Sequence, residues 1–439
     1  MAGKSTRALG LWMCTALVVG NMIGSGVFML PASLAPYGVN GLGGWAFTVA
    51  GAMMLALVFA ALSRVVPGAG GPYVYPRAAF GEGVGFLVAW AYWVGTWVGN
   101  AAVAIGTTAY LAELVPAIKA TPSGPALVTT AMIWLLTYVN WRGTRTMGAV
   151  QMVTTILKLM PLLAVGALGL YLLGSGQTDA IRAEPQPVTL DAMTATAILA
   201  LWGLLGLETA TVPADKVDNP ARTIPLATIW GTLVTGLIYI VACMTVVMLL
   251  PREVAASSSA PFAEVVRQHW GAGAATLLAL FAFISGFGAL NGWILVQGEM
   301  PRVLAEDGIF PRLFARQSRH GTPGSALVIT SALVSAMVLM NYSASMVKVF
   351  TFIVLISTSA NLIMYLAVSL SALRLALAGR MPQGSSGRQI ALLVVAALAS
   401  GYALWTLYGA GAEAFLWCLA LVALGIPVYA LMKGRRAST

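Results

Sequence analysis

Apolar residues along this chain form long runs, and short polar segments separate the runs. A run of about 18 residues or more can cross the roughly 30 Å of hydrocarbon in a bilayer as an α-helix. The pattern predicts twelve membrane-spanning helices, at 9–33, 43–66, 83–114, 125–141, 148–174, 191–213, 226–250, 272–299, 325–342, 346–373, 389–409 and 413–432. The first run is too long for a cleavable signal peptide and lacks a small-residue cleavage pattern.

Composition strengthens the membrane assignment. Of the 439 residues, 59% are hydrophobic and 9% are charged, and the mean hydropathy is +0.86. A soluble chain carries charge on about a quarter of its residues. The longest segment between predicted spans, 300–324, has about 25 residues, so we expect a single domain over 1–439. The predicted class is an all-α integral membrane protein.

The distribution of basic residues predicts the orientation in the membrane. With the N-terminus in the cytoplasm, eighteen of the 24 Lys and Arg residues fall in cytoplasmic segments, five fall outside, and Lys158 lies within a span. Cytoplasmic loops of membrane proteins carry the excess of basic residues. We therefore expect both termini in the cytoplasm. We attribute the net charge of +10 to topology and not to nucleic-acid binding.

Cysteine and histidine usage predicts no metal site, no cofactor and no disulfide framework. The three cysteines lie in separate apolar runs without a CxxC spacing, and the two histidines lie in loops.

An enzyme would need a nucleophile–base pair or metal ligands, and we expect no membrane-embedded His or Asp to supply them. A channel would need a continuous polar stripe or a charged ring. A nutrient sensor on a transporter fold stays an alternative, although both tails are short for signalling.

The first predicted span contains a cluster of small residues. Its sequence GNMIGSGVFMLP, at 20–31, includes Gly24, Ser25 and Gly26. A single membrane glycine often serves helix packing, but clustered glycines lower the cost of unwinding the backbone. We interpret this segment as a break in the helix near the middle of the bilayer.

The sixth predicted span has a matching feature, because Gly203 and Gly206 occur just before Glu208 in LWGLLGLE. Paired interrupted segments in two halves of a chain indicate a transporter built from inverted repeats. Unwound backbone at membrane depth is tolerated where it lines a cavity. A helix start offers N–H groups to a carboxylate, and freed carbonyls accept hydrogen bonds from an ammonium. An amino acid carries both groups, so the two breaks predict an amino acid as the substrate.

Five ordered motifs resemble the amino acid–polyamine–organocation (APC) transporter superfamily: GNMIGSGVFMLPASLA, YWVGTWVGN, LWGLLGLETATV, DNPARTIPLAT and AEDGIFPRLFA. The chain is most similar to the bacterial basic amino acid/polyamine antiporters, in particular those of the arginine/agmatine type. The resemblance implies a LeuT-type fold with inverted five-helix repeats at 9–174 and 191–373, discontinuous helices one and six, and two trailing helices at 389–432. Antiporters of this type are often homodimers, and the compact loops favour a bacterial inner membrane.

The resemblance also implies the roles of individual residues along the substrate path. The expected contacts of the carboxylate are Met22, Ile23, Gly24, Ser25 and Gly26, and those of the α-amino group are the carbonyls around Trp202 and Leu205. The expected contacts at the distal end of the substrate are Asn100, Gly95, Thr96 and Val103. Trp202 would cover the substrate, Trp293 would form a middle barrier and Ser357 would belong to the pocket wall. The expected gate residues are Tyr92, Glu208 and Tyr365.

Two charged side chains, Glu208 and Lys158, are predicted within the hydrocarbon region, where a charge costs at least a few kcal/mol. Glu208 is expected to bond the unwound backbone or the gating groups, with a purely structural lock on the break as the alternative. Lys158 either extends its ammonium to the cytoplasmic face or stands in for the sodium ion of sodium-driven relatives. Tyr73, in the segment GGPYVYPRAAFG, is expected to pack there or to help close the inner gate.

Lys158 leaves two modes of transport open. The arginine/agmatine pattern has a neutral residue at this position, so Lys158 favours proton-coupled amino acid symport of broader or neutral specificity. Glu208 and Asn100 favour antiport of an amino acid against its decarboxylated amine, and we place the chain with the antiporters. The expected partners are this small-molecule substrate, protons in the case of symport, and the lipid bilayer.

Overall fold

The structure, a computed structural model, describes residues 10–24, 26–66, 71–142, 147–208, 217, 219–308, 310–340, 345–381 and 386–437. Most of these residues are in α-helices, which we number in chain order. The helices are α1 (Leu11–Met22), α2 (Gly26–Leu34), α3 (Asn40–Leu62), α4 (Val74–Phe80), α5 (Glu82–Leu114), α6 (Gly124–Arg142), α7 (Met147–Gly174), α8 (Leu190–Gly203), α9 (Pro220–Leu249), α10 (Arg252–Ser257), α11 (Pro261–Glu306), α12 (Gly324–Met340), α13 (Met346–Leu377), α14 (Ser386–Tyr408), α15 (Ala412–Ala423) and α16 (Gly425–Ala437).

The prediction of an all-α membrane protein is confirmed. The described residues contain eight helices that are long and apolar enough to cross a membrane, and nine spans if α1 and α2, which meet at 52°, form one bent span. α8 and α12 are apolar but shorter, with 14 and 17 residues. α6 has 19 residues but is not one of the eight. The number of twelve spans therefore stays a prediction.

Local sequence explains where several helices begin. The side chain of Thr189 accepts a hydrogen bond from the backbone N–H of Ala192 at 3.2 Å at the start of α8. Ser345 does the same for the N–H of Lys348 at 3.3 Å at the start of α13. Such side chains satisfy amide groups that the first helical turn leaves unpaired. α9 begins with Pro220, whose fixed φ suits this position.

Helix α11 extends well beyond the predicted span at 272–299. At its C-terminal end, Arg302 donates to the carboxylates of Glu299, at 2.7 Å, and Glu306. These residues are three and four positions away, which is the spacing at which helical side chains meet. The polar last turns therefore stay helical although they lack the apolar character of a membrane span.

Two long helices are preceded by similar bends at a glycine. Gly81, between α4 and α5, has φ 94° and ψ −179°. Gly271, within α11, has φ 84° and ψ 176° and separates 261–270 from the long helix that follows. This part of backbone space is accessible essentially to glycine alone. Both bends therefore require glycine.

Helix α5 is the buried centre of the described helices. It packs against α11 and α13, and it also contacts α2, α4, α6 and α12. Most of its residues between Gly85 and Ala112 are buried. α1 packs against α7 and α9, whereas α8 packs against α3 and α13. The ends of α1 and α8 line one cavity together with the middle of α5.

Replacing Gly271 tests whether the bend in α11 requires glycine. We expect Gly271→Ala to lower the free energy of unfolding by about 1–3 kcal/mol, because alanine disfavours this backbone conformation. An added Cβ would meet no atom within 4 Å, so the loss would come from the backbone alone. The measurement is the midpoint of thermal unfolding in detergent.

The matched control is Gly273→Ala, two residues along the same helix. An added Cβ there also meets no atom within 4 Å, and alanine is the better helix former. This variant should keep or raise the midpoint. Equal midpoints for the two variants would contradict a strained bend at Gly271.

Candidate functional site

The first helix breaks at the small-residue cluster. α1 ends at Met22, Ile23 has an extended backbone with φ −81° and ψ 99°, and α2 begins at Gly26. Ser25, one of the predicted carboxylate contacts, lies outside the described residues. The break frees the carbonyl of Met22, which accepts a hydrogen bond from the hydroxyl of Tyr239 at 2.9 Å. The first amides of α2 have no acceptor within their own helix, so the start of α2 can bind an anion.

The second break follows α8. The helix ends at Gly203, and Gly206 has φ 105°, which favours glycine. The carbonyl of Trp202 accepts a hydrogen bond from the N–H of Leu205 at 3.2 Å. The N–H of Leu204 is also directed at this carbonyl, which is expected to meet the substrate amino group. The rest of the predicted sixth span, 209–216, lies outside the described residues.

A cavity of about 60 Å³ lies where the two breaks meet α5, α11 and α13. Most of the residues predicted for the substrate path line it. They are Met22, Gly24, Gly26, Tyr92, Gly95, Thr96, Asn100, Val103, Trp202, Leu205, Glu208, Trp293 and Ser357. Ile23, Lys158 and Tyr365 are fully buried beside the cavity and are not among its lining residues.

Further lining residues were missed by the sequence interpretation, namely Asn21, Val27, Gly99 and Asn361, and Gly203, which was predicted as part of the second break, also lines the cavity. Helical spacing is a signal for two of them, because residues four apart share a helix face. Gly99 follows Gly95 by four positions, and Asn361 follows Ser357 by four. The amide of Asn361 donates to the carbonyl of Ser357, and the hydroxyl of Ser357 donates to the carbonyl of Gly95, both at 2.8 Å. The bond from Ser357 to Gly95 ties α13 to α5 along the cavity wall, and the bond from Asn361 lies within α13.

The two tryptophans predicted at the site each lie against a glycine of a broken helix. The ring of Trp202 occupies the space that a Cβ at residue 26 would need, so this contact requires Gly26. Trp202 also meets Phe350 edge-on, with ring centroids 5.4 Å apart. A Cβ at Gly206 would lie 3.6 Å from Cζ2 of Trp293. The absence of a side chain therefore makes room for the ring of Trp202 at Gly26, whereas a Cβ at Gly206 would only contact Trp293.

Two tyrosines from different helices hold the carboxylate of Glu208. The hydroxyl of Tyr92 on α5 donates to Oε1 at 3.0 Å, and that of Tyr365 on α13 donates to Oε2 at 2.7 Å. Glu208 is only 1% exposed. The three predicted gate residues thus form one hydrogen-bonded cluster, which ties α5 and α13 to the break after α8.

Lys158 is directed towards the first break. Its Nζ donates to the carbonyl of Gly20 at 3.0 Å, and the side chain is fully buried. Gly20 belongs to the last turn of α1, where carbonyls lose their helical partners. None of the ion pairs among the described residues includes Lys158. The ammonium therefore joins α7 to α1 through the backbone.

Tyr73 makes a polar contact outside the membrane-spanning helices. Its hydroxyl donates to Oδ2 of Asp307 at 2.9 Å, which links the segment before α4 to the end of α11. Burial and this hydrogen bond raise the pKa of Tyr73 well above its usual value. The phenol therefore stays protonated and donates over the physiological pH range. This contact is compatible with both predicted roles of Tyr73, packing in this segment and closure of the inner gate.

The sequence is similar to a known family over nearly its whole length. A model of the amino acid permease family matches residues 9–431. The chain belongs to this family. The permease is thus a multi-pass membrane transporter of the APC superfamily and not an enzyme, as the motifs predicted.

Named relatives of the permease are antiporters and polyamine transporters. The cadaverine/lysine antiporter of Escherichia coli (strain K12) is 32% identical over 341 residues, which cover 77% of this chain and 76% of the relative. The putrescine transporter PotE of Haemophilus influenzae is 30% identical over 434 residues, covering 99% and 98%. A putative arginine/ornithine antiporter of Bacillus subtilis is 29% identical over 467 residues, covering 98% of each chain. The permease belongs with the amino acid/polyamine antiporters of its superfamily.

The cluster around Glu208 can be tested by removing its donors. We expect Tyr92→Phe and Tyr365→Phe each to lower the midpoint of thermal unfolding, because a hydrogen bond to a charged group contributes about 1.5–3 kcal/mol. In a Glu208→Gln background the loss from each change should shrink, since residues in one network are coupled. Tyr408→Phe, at a position that is 78% exposed, should leave the midpoint unchanged. Losses of the same size in both backgrounds would show that the tyrosines do not act through Glu208.

Proposed function

We propose that this permease is an antiporter that exchanges a basic amino acid for a decarboxylated amine by alternating access. The observation that carries the proposal is the set of ionisable side chains in the cavity. Among its described lining residues, Glu208 is the single acidic side chain, and no Lys, Arg or His is present. A concave site with an acidic group and without a basic one attracts cations. Arginine with agmatine, the pair that the motifs favour, is the first to test.

The named relatives support a cationic substrate. Their names specify cadaverine, lysine, putrescine, arginine and ornithine. Each of these compounds carries a positively charged group at the end of an aliphatic chain. In the proposed pose, the α-carboxylate faces the start of α2 and the distal cation faces Asn100 on α5. An amine that has lost the carboxylate keeps the second of these contacts.

We also infer a twelve-span LeuT-type fold of two inverted repeats, 9–174 and 191–373, followed by 389–432. Helix contacts support this pairing. α1 packs on α9 as α8 packs on α3, α5 packs on α13 as α11 packs on α7, and α5 packs on α12 as α11 packs on α6. The bend at Gly81 precedes α5, and the bend at Gly271 precedes the corresponding long part of α11. Two halves related by an axis in the membrane plane would produce such paired contacts.

The positions of the basic residues support an orientation with both termini in the cytoplasm. Bacterial relatives support the inner membrane as the location. We further propose a homodimer, as the resemblance to the antiporters implies. Neither inference affects the substrate path, because the cavity lies within one chain.

Exchange is tested by uptake of labelled arginine into proteoliposomes that are empty or preloaded with arginine or agmatine. We expect rapid uptake into the preloaded vesicles alone, because an antiporter returns only with a bound substrate. Lysine with cadaverine and ornithine with putrescine are the next pairs. Equal uptake into empty vesicles would contradict obligatory exchange. Failure of all three pairs would reject a basic substrate.

The bond between Lys158 and Gly20 favours a second candidate function, proton-coupled symport, because it places a titratable group against the broken helix. For an antiporter we expect Lys158→Met to lower the midpoint of unfolding and to leave exchange independent of a proton gradient. Lys348→Met, at an exposed position, is the control and should change neither. If a proton gradient drives uptake into empty vesicles and Lys158→Met abolishes that uptake, the protein is a symporter instead.

A further inference from the structure

A chain of buried polar side chains leads from the cavity into the surrounding helices. The amide nitrogen of Asn100, on α5, donates to Oε1 of Gln297, on α11, at 2.6 Å, and Nε2 of Gln297 donates to the hydroxyl of Ser331, on α12, at 3.1 Å. The oxygens of Ser331 and Thr137, on α6, lie 2.7 Å apart, and Thr137 donates to the carbonyl of Ile133 at 2.7 Å. Asn100 lines the cavity, whereas Gln297 is fully buried behind it.

The far end of this chain of hydrogen bonds, at Thr137, fixes the direction of every hydrogen bond in it. Thr137 has one hydroxyl proton and donates it to the carbonyl of Ile133, which can only accept. Ser331 therefore donates its own proton to Thr137 and accepts from Gln297. Gln297 must then turn its NH₂ group towards Ser331 and its carbonyl oxygen towards Asn100. The proton count thus assigns the orientation of both amides, which distances between heavy atoms alone leave ambiguous.

The orientation of Asn100 decides what it offers to a substrate. Its NH₂ group is turned to Gln297, so the carbonyl oxygen Oδ1 is left for other partners. Among the described residues no hydrogen bond to this oxygen is formed, and the side chain lines the cavity. A carbonyl oxygen accepts hydrogen bonds from an ammonium or a guanidinium group. The reverse orientation would instead present donors, which suit a carboxylate or a neutral acceptor.

We propose that Gln297, oriented by Ser331 and Thr137, is a positioning residue that sets the preference of this cavity for a cationic distal group. Gln297 acts through Asn100, by holding the amide oxygen of Asn100 towards the substrate. The inference rests on the proposed function, because it assumes that the distal end of the substrate reaches Asn100. Polar residues between membrane helices also stabilise packing, and that role alone would affect all substrates equally.

Thr137→Val removes the hydroxyl that fixes the direction of these hydrogen bonds. The hydroxyl of Ser331 is then free to donate to Gln297, and both amides can turn over. Gln297→Met removes the partner of Asn100 while keeping an unbranched side chain of similar length. The readout is the ratio of arginine to citrulline exchange in proteoliposomes, because citrulline has the same length with a neutral end group. We expect both variants to lower this ratio at least about fivefold, as loss of one hydrogen bond to a cation implies.

Thr129→Val is the matched control on the same helix. Its buried hydroxyl bonds to Thr108 and to the carbonyl of Pro125, both at 2.7 Å, and does not belong to the chain through Gln297. This variant should keep the wild-type ratio. The shift in unfolding midpoint on adding arginine or citrulline repeats the comparison in detergent, where a variant needs only to fold and bind.

The outcomes separate this inference from the proposed function. If the wild type discriminates and both variants keep its ratio, even at lower rates, then Gln297 has a structural role and the inference is overturned while antiport stands. If the wild type exchanges arginine and citrulline equally, the cavity has no cationic preference to set. If the wild type carries no basic amino acid, the proposed function and the inference built on it both fail.

Discussion

The lack of water in the hydrocarbon region is the constraint on which the rest of this structure depends, because every backbone N–H and C=O there needs a partner within the protein. Unbroken helices meet this requirement by themselves, whereas the end of α1 does not. There, Lys158 donates to the carbonyl of Gly20 and Tyr239 donates to that of Met22. The donors belong to α7 and α9. The broken conformation of the first span is therefore stable only when these helices are assembled around it.

The same constraint explains why the gate residues form a cluster. A buried carboxylate is very costly unless it is hydrogen-bonded, and the phenols of Tyr92 and Tyr365 supply two donors to Glu208. Two members of this cluster, Tyr92 and Glu208, also line the cavity. Sites that combine stability and function in this way cannot be optimised for both, so the cavity region is where this permease should be least tolerant of change.

The sequence was informative where the relevant property is local. Apolar runs predicted the helices, and glycine clusters predicted the two breaks, because length, polarity and backbone freedom are properties of a short segment. Gln297 was missed, since a lone glutamine in an apolar helix gives no sign of its partner 197 residues away. The partner of Lys158 is a backbone carbonyl, a group that every residue carries. No side-chain pattern could therefore mark that contact, and it became visible only in three dimensions.

The position of the Trp202 ring beside Gly26 has a consequence for how strongly a ligand binds. The indole fills the space beside Gly26 in the first turn of α2, and if the carboxylate of the proposed pose needs that space, the ring has to move aside first. If about one molecule in a hundred has the ring displaced, the observed Kd is a hundredfold weaker than the intrinsic one. Good contacts in the bound state then coexist with modest overall affinity, and the returning indole hastens release, which suits a protein that must let go of its cargo on every cycle.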